Sequence, residues 1–317
     1  MYRLVALSIL ALAGVGVAAP SANPPPTRIR PGVMIGNVRV AGLSAEPALL
    51  RVRAAFERPL RFAFRGKRWR ESPHELGAHA FAGAAVTHAL YARPRARVRL
   101  RVTINAQRLR HYVAGLDRKL SRPAKDAEYV GLTSDLQPII TEGRPGLRVE
   151  RRAMAARITR ALKNGWRRPI PLATRRVEPD VTRDTFGPVI VIMRDSHQLV
   201  LYDGPNLWQT FPVATGQAAY PTPTGDWEIV DMQVDPWWRP PDSDWAQGSE
   251  AIPPGPGNPL GTRWMGLSAP GVGIHATPDA SSVGYSVSHG CIRMHVSDAE
   301  WLFEQVHIGT PVSIVAA

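Results

Sequence analysis

The stretch GIHATPDASSVGYSVSHGCIRMH, residues 273–295, holds the single cysteine of the sequence, Cys291, together with three of its nine histidines. It opens on a short strand-like segment that contains His275, and a loop rich in Ser, Gly and Pro leads from there to Cys291. Two neighbouring strands joined by such a loop can place a thiol beside an imidazole base. The stretch therefore indicates a nucleophile with its base, a metal site, or a buried thiol among polar residues.

The residues around the thiol favour a nucleophile. Gly290, directly before Cys291, lets the backbone N–H groups of these two residues approach a substrate carbonyl and form an oxyanion hole. If the chain beyond Cys291 is extended, Cys291 and Arg293 face one side of the strand, and Ile292 and Met294 face the other. An arginine beside a thiol favours the thiolate and can bind a carboxylate in bidentate fashion.

A metal site is the main chemical alternative. The residues that zinc could accept are His275, His289, Cys291 and His295. However, the spacing H-x-C-x3-H matches no common zinc pattern, and the chain has no second cysteine. The structural alternative is that Cys291 is a small buried hydrophobe.

The region around this stretch, residues 186–317, predicts a mainly β domain with one C-terminal helix. Turn residues bound each of its short strand patterns: VIVIM, QLVLYD, LWQTFPVAT, GDWEIVDMQ, TRWMGLS, GIHAT and PVSIVA. The helix is VSDAEWLFEQV, in which Ser297 and Glu300 predict a capping box. Residues 234–261, rich in Pro, Gly and Trp, predict a long loop that covers a site. Its tryptophans, Trp237, Trp238 and Trp245, could instead form a small core under the loop.

The preceding region, residues 32–180, predicts an α+β domain with a weak internal duplication. In its first copy, the strand pattern VMIGNVRVAGL leads into a helix that stops at Pro59 and then into the strand pattern LRFAFRGKRW. In its second copy, the segment GRPGLRVERRAMAARITRALKNGWRRPIPLAT repeats a glycine turn, a helix and a strand bounded by proline. The segment VEPDVTRDTFGP then links the two domains.

Charge divides the chain at the same place. Residues 20–185 contain 34 Lys and Arg against 13 Asp and Glu, whereas residues 186–317 contain 4 against 13. A basic half of this kind suggests a polyanionic partner, and for an exported protein we expect wall polymers or anionic lipid surfaces rather than nucleic acid. The alternative is that the arginines are merely solvated.

The first residues predict export. Arg3 precedes an apolar run that is too short for a bilayer span, and small residues follow it. We predict a signal peptide over residues 1–19, with an uncleaved membrane anchor as the alternative, and a Pro-rich spacer over residues 20–31. The expected location is the cell wall or the periplasm.

GIHAT and SHGCIR resemble the catalytic motif of the L,D-transpeptidases that have a YkuD-type domain. The elements PTPTGDWEI, PWWRPP, PPGPGNPLG and GTPVSIV, in this order, extend the resemblance over the acidic half. Ala276 stands where the family usually has glycine, a change that is expected to tighten the backbone beside the histidine and that removes no side-chain chemistry. More loosely, PGVMIGNVRVAGLS, SPHELGA and GRPGLRVE resemble the peptidoglycan-binding domain that precedes such catalytic domains.

The resemblance implies an acyltransferase that acts on peptidoglycan stem peptides. Cys291 is the implied nucleophile and His275 the implied base, oriented by a backbone carbonyl near Ala276. Ser288 and His289 shape the catalytic site. Gly290 contributes to the oxyanion hole, and Arg293 holds a substrate carboxylate. The implied reaction releases D-Ala through a thioester and forms 3→3 cross-links, with no metal and no organic cofactor, and carbapenem-type inhibitors are expected to acylate the thiol.

Several alternatives stay open within this interpretation. Water as acceptor gives an L,D-carboxypeptidase, a protein amine as acceptor gives a protein-to-wall attachment enzyme, and a chain that only binds wall polymer is the non-catalytic alternative. A sortase does not fit, because the His and Cys positions are too close in sequence. A papain-like peptidase has the cysteine before the histidine, which is the reverse of the order here.

Overall fold

The computed structural model describes residues 26–317, which fold into two compact units. The first unit holds the residues up to Lys119 and Val149–Ala173, and the second holds Leu120–Arg148 and Thr174–Ala317. The predicted signal peptide, 1–19, and residues 20–25 of the predicted spacer lie outside the described residues. None of the helices within residues 26–317 has both the length and the apolar character that a bilayer crossing requires.

Short strands and four helices alternate through the first 150 described residues, as an α+β pattern predicts. In chain order the elements are β1 (Met34–Ile35), β2 (Val38–Arg39), α1 (Ala45–Glu57), β3 (Leu60–Phe64), β4 (Lys67–Glu71), β5 (Ala78–Ala80), α2 (Ala82–Tyr91), β6 (Arg97–Val98), β7 (Val102–Ile104), α3 (Ala106–Leu120), β8 (Tyr129–Leu132), β9 (Pro138–Ile140), β10 (Gly146–Val149), α4 (Arg151–Asn164), β11 (Ile170–Pro171) and β12 (Thr174–Val177). The strands that follow α1 and α4, β3 and β11, pair in parallel within one sheet.

The region from residue 186 onward is mainly β with one helix, which confirms the predicted fold class. Its elements are β13 (Pro188–Met193), β14 (Gln198–Asp203), β15 (Asn206–Pro212), β16 (Thr215–Gly216), β17 (Gly225–Val234), β18 (Arg263–Leu267), β19 (Gly273–Ala276), β20 (Ser286–Ser288), β21 (Ile292–Met294), α5 (Val296–Gln305) and β22 (Pro311–Val315). Eight of the strands form one sheet in the order β15-β14-β13-β22-β17-β18-β19-β21.

The predicted capping box of α5 is wrong. His295 occupies the N-cap position and no side chain caps the helix, so Ser297 lies inside the first turn. The Glu300 carboxylate accepts a hydrogen bond from Thr262 Oγ1 at 2.8 Å instead of turning back to the helix N-terminus. A tertiary partner has therefore displaced the local one.

Both faces of the large sheet are covered near its middle. Ile190 and Leu201 pack on the side of α5, where Leu302 is fully buried. Val191 and Val200 point to the opposite side and pack against Ile140. This second layer explains why residues 120–148 group with the acidic region in space. The predicted division into a domain of residues 32–180 and a domain of residues 186–317 stays a prediction.

Candidate active site

Strands β19 and β21 bring the predicted base and the predicted carboxylate-binding residue side by side. The two strands pair in parallel with His275 directly opposite Arg293. Ile274 and Ile292 form the neighbouring pair and are buried in the core. Because side chains alternate along a strand, His275 and Arg293 project from the other face, which is also the face expected for Cys291.

That face forms one wall of a cavity of about 850 Å³. His275, Ser288, His289, Cys291 and Arg293 all line it, so five of the six predicted site residues meet there. Gly290 lies in the backbone turn between them. The described residues contain no cluster of three or more His, Cys, Asp or Glu side chains placed to hold a metal ion.

The predicted base, His275, is buried and oriented. His275 is 4% exposed, and its Nδ1–H donates to the carbonyl of Ala276 at 2.6 Å, which leaves Nε2 as the acceptor nitrogen. Burial lowers the pKa of His275 to about 4, with a further lowering by the Arg293 charge, against the Ala276 and Leu260 carbonyls, which raise it. The imidazole is therefore neutral at pH 7 and able to accept a proton.

The thiol is half-buried at the entrance to β21. Its Sγ donates to the carbonyl of Gly271 at 3.6 Å. Burial raises the pKa of the Cys291 thiol, whereas the Gly273 backbone and the Arg293 guanidinium lower it. The effect of burial is the largest of the three, so the pKa of the thiol is raised overall. The resting site therefore holds a neutral thiol and a neutral imidazole. Arg293 itself pairs with no carboxylate of the described residues, which leaves its charge available in the cavity.

The turn before the thiol is held by hydrogen bonds. Ser288 Oγ donates to the Cys291 carbonyl at 2.6 Å and accepts from the Gly290 N–H at 3.1 Å. Gly290 has a φ of 109°, a conformation that disfavours any side chain, and its carbonyl accepts from Thr222 Oγ1 at 2.9 Å. The Gly290 N–H is thus already used, and the Cys291 N–H is the one that bonds no acceptor among residues 26–317. Ser288 positions the turn rather than the reacting atoms.

The long loop, residues 234–261, supplies the opposite wall. Trp245 stacks on the His289 ring with centroids 4.1 Å apart, and Tyr220 lies 5.0 Å from the same ring. Trp238 packs 6.4 Å from Trp245, whereas Trp237 is half-exposed. The tryptophans line the cavity, so they serve the site and do not form a separate core.

Sequence reasoning missed four residues that shape the site. Trp264 on β18 pairs with His275 across the strands, with ring centroids 6.1 Å apart. Its ring fills the space where a side chain on Gly273 would lie, because a Cβ there would be 2.3 Å from the indole. Tyr220, Thr222 and Leu260 are the other three. The strand pattern TRWMGLS contains Trp264, but only the pairing shows that the indole faces the histidine.

Two family models match successive parts of the chain. A family model described as "L,D-transpeptidase catalytic domain" matches residues 187–314, and one described as "Putative peptidoglycan binding domain" matches residues 74–171. The first match contains every residue of the site described above. The two matches follow each other in the chain, as the resemblance predicts.

Individual relatives were also found. "Putative L,D-transpeptidase YkuD" of Bacillus licheniformis is 37% identical over 131 residues, which cover 41% of this chain and 67% of that protein. "Putative L,D-transpeptidase YqjB" of Bacillus subtilis is 33% identical over 132 residues, which cover 40% of this chain and 70% of that protein. The crystal structure of L,D-transpeptidase 3 from Mycobacterium tuberculosis with a faropenem-derived adduct aligns at a TM-score of 0.35 and 20% identity, covering 40% of this chain and 60% of that one. With two relatives matched over about two thirds of their length or more, and the site inside the matched region, the chain belongs to the L,D-transpeptidase family.

Proposed function

We propose that the protein forms 3→3 cross-links in peptidoglycan through a thioester on Cys291, with release of D-Ala. The observation that carries the proposal is the meeting of Cys291, His275 and Arg293 on one wall of a single cavity. A thiol, a neutral base and an unpaired cation are the groups that acyl transfer from a carboxylate-bearing peptide requires.

The first half-reaction makes the thioester. Nε2 of His275 takes the proton of the Cys291 thiol as Sγ attacks the carbonyl carbon of the third residue of a tetrapeptide stem. The Cys291 N–H donates to the oxygen of the tetrahedral intermediate. The C–N bond to the terminal D-Ala then breaks, and its amine leaves with the proton that His275 carried.

The second half-reaction makes the cross-link. The side-chain amine of the third residue of another stem attacks the thioester carbonyl and gives a proton to His275. The C–S bond breaks, and the thiol recovers that proton. Because both groups are neutral at rest, proton transfer accompanies each attack rather than preceding it.

The other cavity residues bind and position the substrate. Arg293 holds a carboxylate of the donor stem by paired hydrogen bonds. Ser288 keeps the turn at Gly290 in the shape that aims the Cys291 N–H into the cavity. His289 supports the aromatic wall together with Trp245. A carbapenem, which presents a strained acyl group, is expected to acylate the same thiol.

This activity belongs outside the cytoplasm. The predicted signal peptide, 1–19, exports the protein, or anchors it if it is not cleaved, and the basic half then holds it near anionic wall polymers. The cell wall or the periplasm is the proposed location.

Mass spectrometry of purified disaccharide-tetrapeptides tests the proposal, using the exported form and its Cys291→Ala variant. We expect a cross-linked dimer that has lost one D-Ala with the wild type and none with the variant. Tripeptide without dimer would replace the proposal by an L,D-carboxypeptidase. Dimer formed equally by Cys291→Ala would overturn the thiol mechanism.

Protein attachment and pure wall binding are separated by two further measurements. Adding a wall-associated protein with an exposed lysine distinguishes an attachment enzyme, because a peptide–protein adduct then forms in place of the dimer. Incubation with a carbapenem should add the mass of the inhibitor to the wild type and leave Cys291→Ala unchanged. If the wild type forms no dimer, no peptide–protein adduct and no carbapenem adduct, the protein only binds the wall.

A further inference from the structure

A second cavity, of about 690 Å³, lies in the first unit. It runs between the second half of α4 and the segment that returns from α4 to β11, and we call it the arginine groove, residues 157–161 and 165–171. Gly165, with a φ of 67°, ends the helix in a left-handed turn and sends the chain back along the groove. The fold therefore builds a concave surface at this helix end.

The groove collects positive charge, and no acidic side chain of the described residues lines it. The arginines that line it are Arg157, Arg160, Arg167 and Arg168. Arg157 and Arg160 are spaced i, i+3 on α4, where like charges repel and destabilise a helix. No ion pair within residues 26–317 involves any of the four.

Contacts within the folded protein explain the presence of only two of the four arginines, Arg157 and Arg167. The Arg167 guanidinium donates to the carbonyls of Phe56 and Arg58 at 2.7 and 2.8 Å, so it satisfies the end of α1. Arg157 donates to the carbonyl of Pro171 at 3.0 Å. The α4 dipole favours any cation near the helix C-terminus, so it does not explain why these residues are arginines rather than lysines. The side chains of Arg160 and Arg168, unlike those of Arg157 and Arg167, donate no hydrogen bond to another described residue.

An aromatic ring accompanies the two unpaired guanidinium groups. Trp166, between Gly165 and Arg167, lines the groove and is 52% exposed. The indole offers a large apolar face and one N–H donor, and its flat face suits the C–H side of a sugar ring. Guanidinium forks match carboxylate and phosphate groups.

We propose that the arginine groove binds an acidic saccharide, with Trp166 against a sugar ring and Arg160 and Arg168 on the acid groups. Both features are needed, because a neutral sugar leaves the cations unpaired and a ring-free polyanion leaves the indole exposed. The proposal deepens the proposed function and rests on it only in taking the saccharide from the cell wall.

The test uses the full exported chain and peptide-free glycan strands, whose muramic acid residues keep their carboxylates and which lack the stem peptide. Calorimetry compares these strands with neutral chitin oligosaccharides and with poly(glycerol phosphate), which has anions but no sugar ring. The variants are Arg160→Gln/Arg168→Gln and Trp166→Ala. The matched control is Arg110→Gln/Arg152→Gln, which removes the same charge from exposed positions outside the groove.

We expect the glycan strands to bind best, and Arg160→Gln/Arg168→Gln to weaken this binding by about tenfold or more. Trp166→Ala should weaken it by about fivefold, and the control by less than about twofold. Unchanged binding in the groove variants, or an equal loss in the control, would overturn the proposal. So would stronger binding of poly(glycerol phosphate) that Trp166→Ala leaves intact, because the groove would then be an anion site only.

Cross-linking of soluble disaccharide-tetrapeptides by the same groove variants separates this proposal from the proposed function. We expect wild-type rates, because the groove lies in the other unit from Cys291. If even the wild type forms no dimer, the proposed function fails while the glycan-binding result stands on its own.

Discussion

In the candidate active site, the Arg293 guanidinium lowers the pKa of two titratable groups, Cys291 and His275. The Arg293 charge lowers the pKa of the Cys291 thiol, which favours the nucleophile. The same charge lowers the pKa of His275, which keeps the base neutral. One residue opposite His275 in the strand pairing thus lowers the pKa of both groups, and in the proposed mechanism it also holds the substrate carboxylate.

Replacing Arg293 by glutamine should make the thiol harder to ionise. The variant keeps a polar side chain but loses the positive charge, so we expect the pKa of Cys291 to rise. The measurement is the rate of alkylation by iodoacetamide as a function of pH, followed by mass spectrometry, and its midpoint should move to higher pH. Arg176→Gln, whose parent residue is exposed and pairs with Glu178, is the control and should not move it. An unchanged midpoint in Arg293→Gln would show that the guanidinium does not act on the thiol.

Burial of His275 should make the fold sensitive to acid. Its pKa is about 4 in the folded protein and 6.5 when unperturbed, so between these values the unfolded chain binds more protons than the folded one. Stability is unaffected by this group above pH 6.5 and falls as pH decreases toward 4, by about 1.4 kcal/mol per pH unit.

Urea unfolding of the wild type and of His275→Gln at several pH values between 7 and 4.5 measures this effect. Glutamine does not titrate, so the difference in unfolding free energy between the two proteins should shift in favour of the variant as pH falls. Parallel curves for the two proteins would mean that His275 takes up its proton as easily when folded.

At the scale of the elements, a buried amide in the long loop, residues 234–261, joins several of its backbone groups. Asn258 is 1% exposed, and its Nδ2 donates to the carbonyls of Pro236, Ile252 and Pro253 at 2.7, 3.3 and 3.2 Å. Its Oδ1 accepts from the Leu260 N–H at 2.8 Å. This amide links Pro236, near the start of the loop, to Leu260, near its end. The Leu260 carbonyl is one of the groups that raise the pKa of His275.

Asn258→Asp should loosen the loop without changing its size. A carboxylate would face three carbonyl oxygens, so we expect a loss of about 2 kcal/mol or more in unfolding free energy. Cleavage by a protease within residues 239–250 should also become faster. Asn206→Asp, at an exposed hairpin position, is the matched control and should change neither quantity. Wild-type stability in Asn258→Asp would show that the amide does not hold the loop.

At the scale of the whole molecule, the large sheet is covered on one face by a segment that lies before residue 186 in the chain. Residues 120–148 cover one face of the large sheet, where Ile140 packs with Val191 and Val200. Tyr129 bonds Ser313 on β22 at 2.5 Å, and Ser313 in turn donates to Asp226 on β17. A polar chain and an apolar layer therefore join this segment to the sheet.

A fragment of residues 186–317 should be less stable than one that keeps the whole second unit, Leu120–Arg148 joined to Thr174–Ala317 by a short Gly/Ser linker in place of Val149–Ala173. Removing the covering segment exposes several apolar side chains, each worth about 2 kcal/mol when buried. We expect a lower melting temperature by calorimetry and self-association by size-exclusion chromatography for the shorter fragment. Equal melting temperatures, with both fragments monomeric, would show that the sheet face needs no cover.

The sequence by itself determined the strands of the acidic half, its helix and the meeting of Cys291 and His275. Alternation, turn residues and a short loop between two strands are local properties, so they can be read without knowing the fold. Only the tertiary structure decided the rest. It placed Arg293 opposite His275, used the Gly290 N–H within the turn, and turned Glu300 from its helix end to Thr262. These depend on which distant strands pair and which polar groups meet when the core is buried, and no local pattern carries that information.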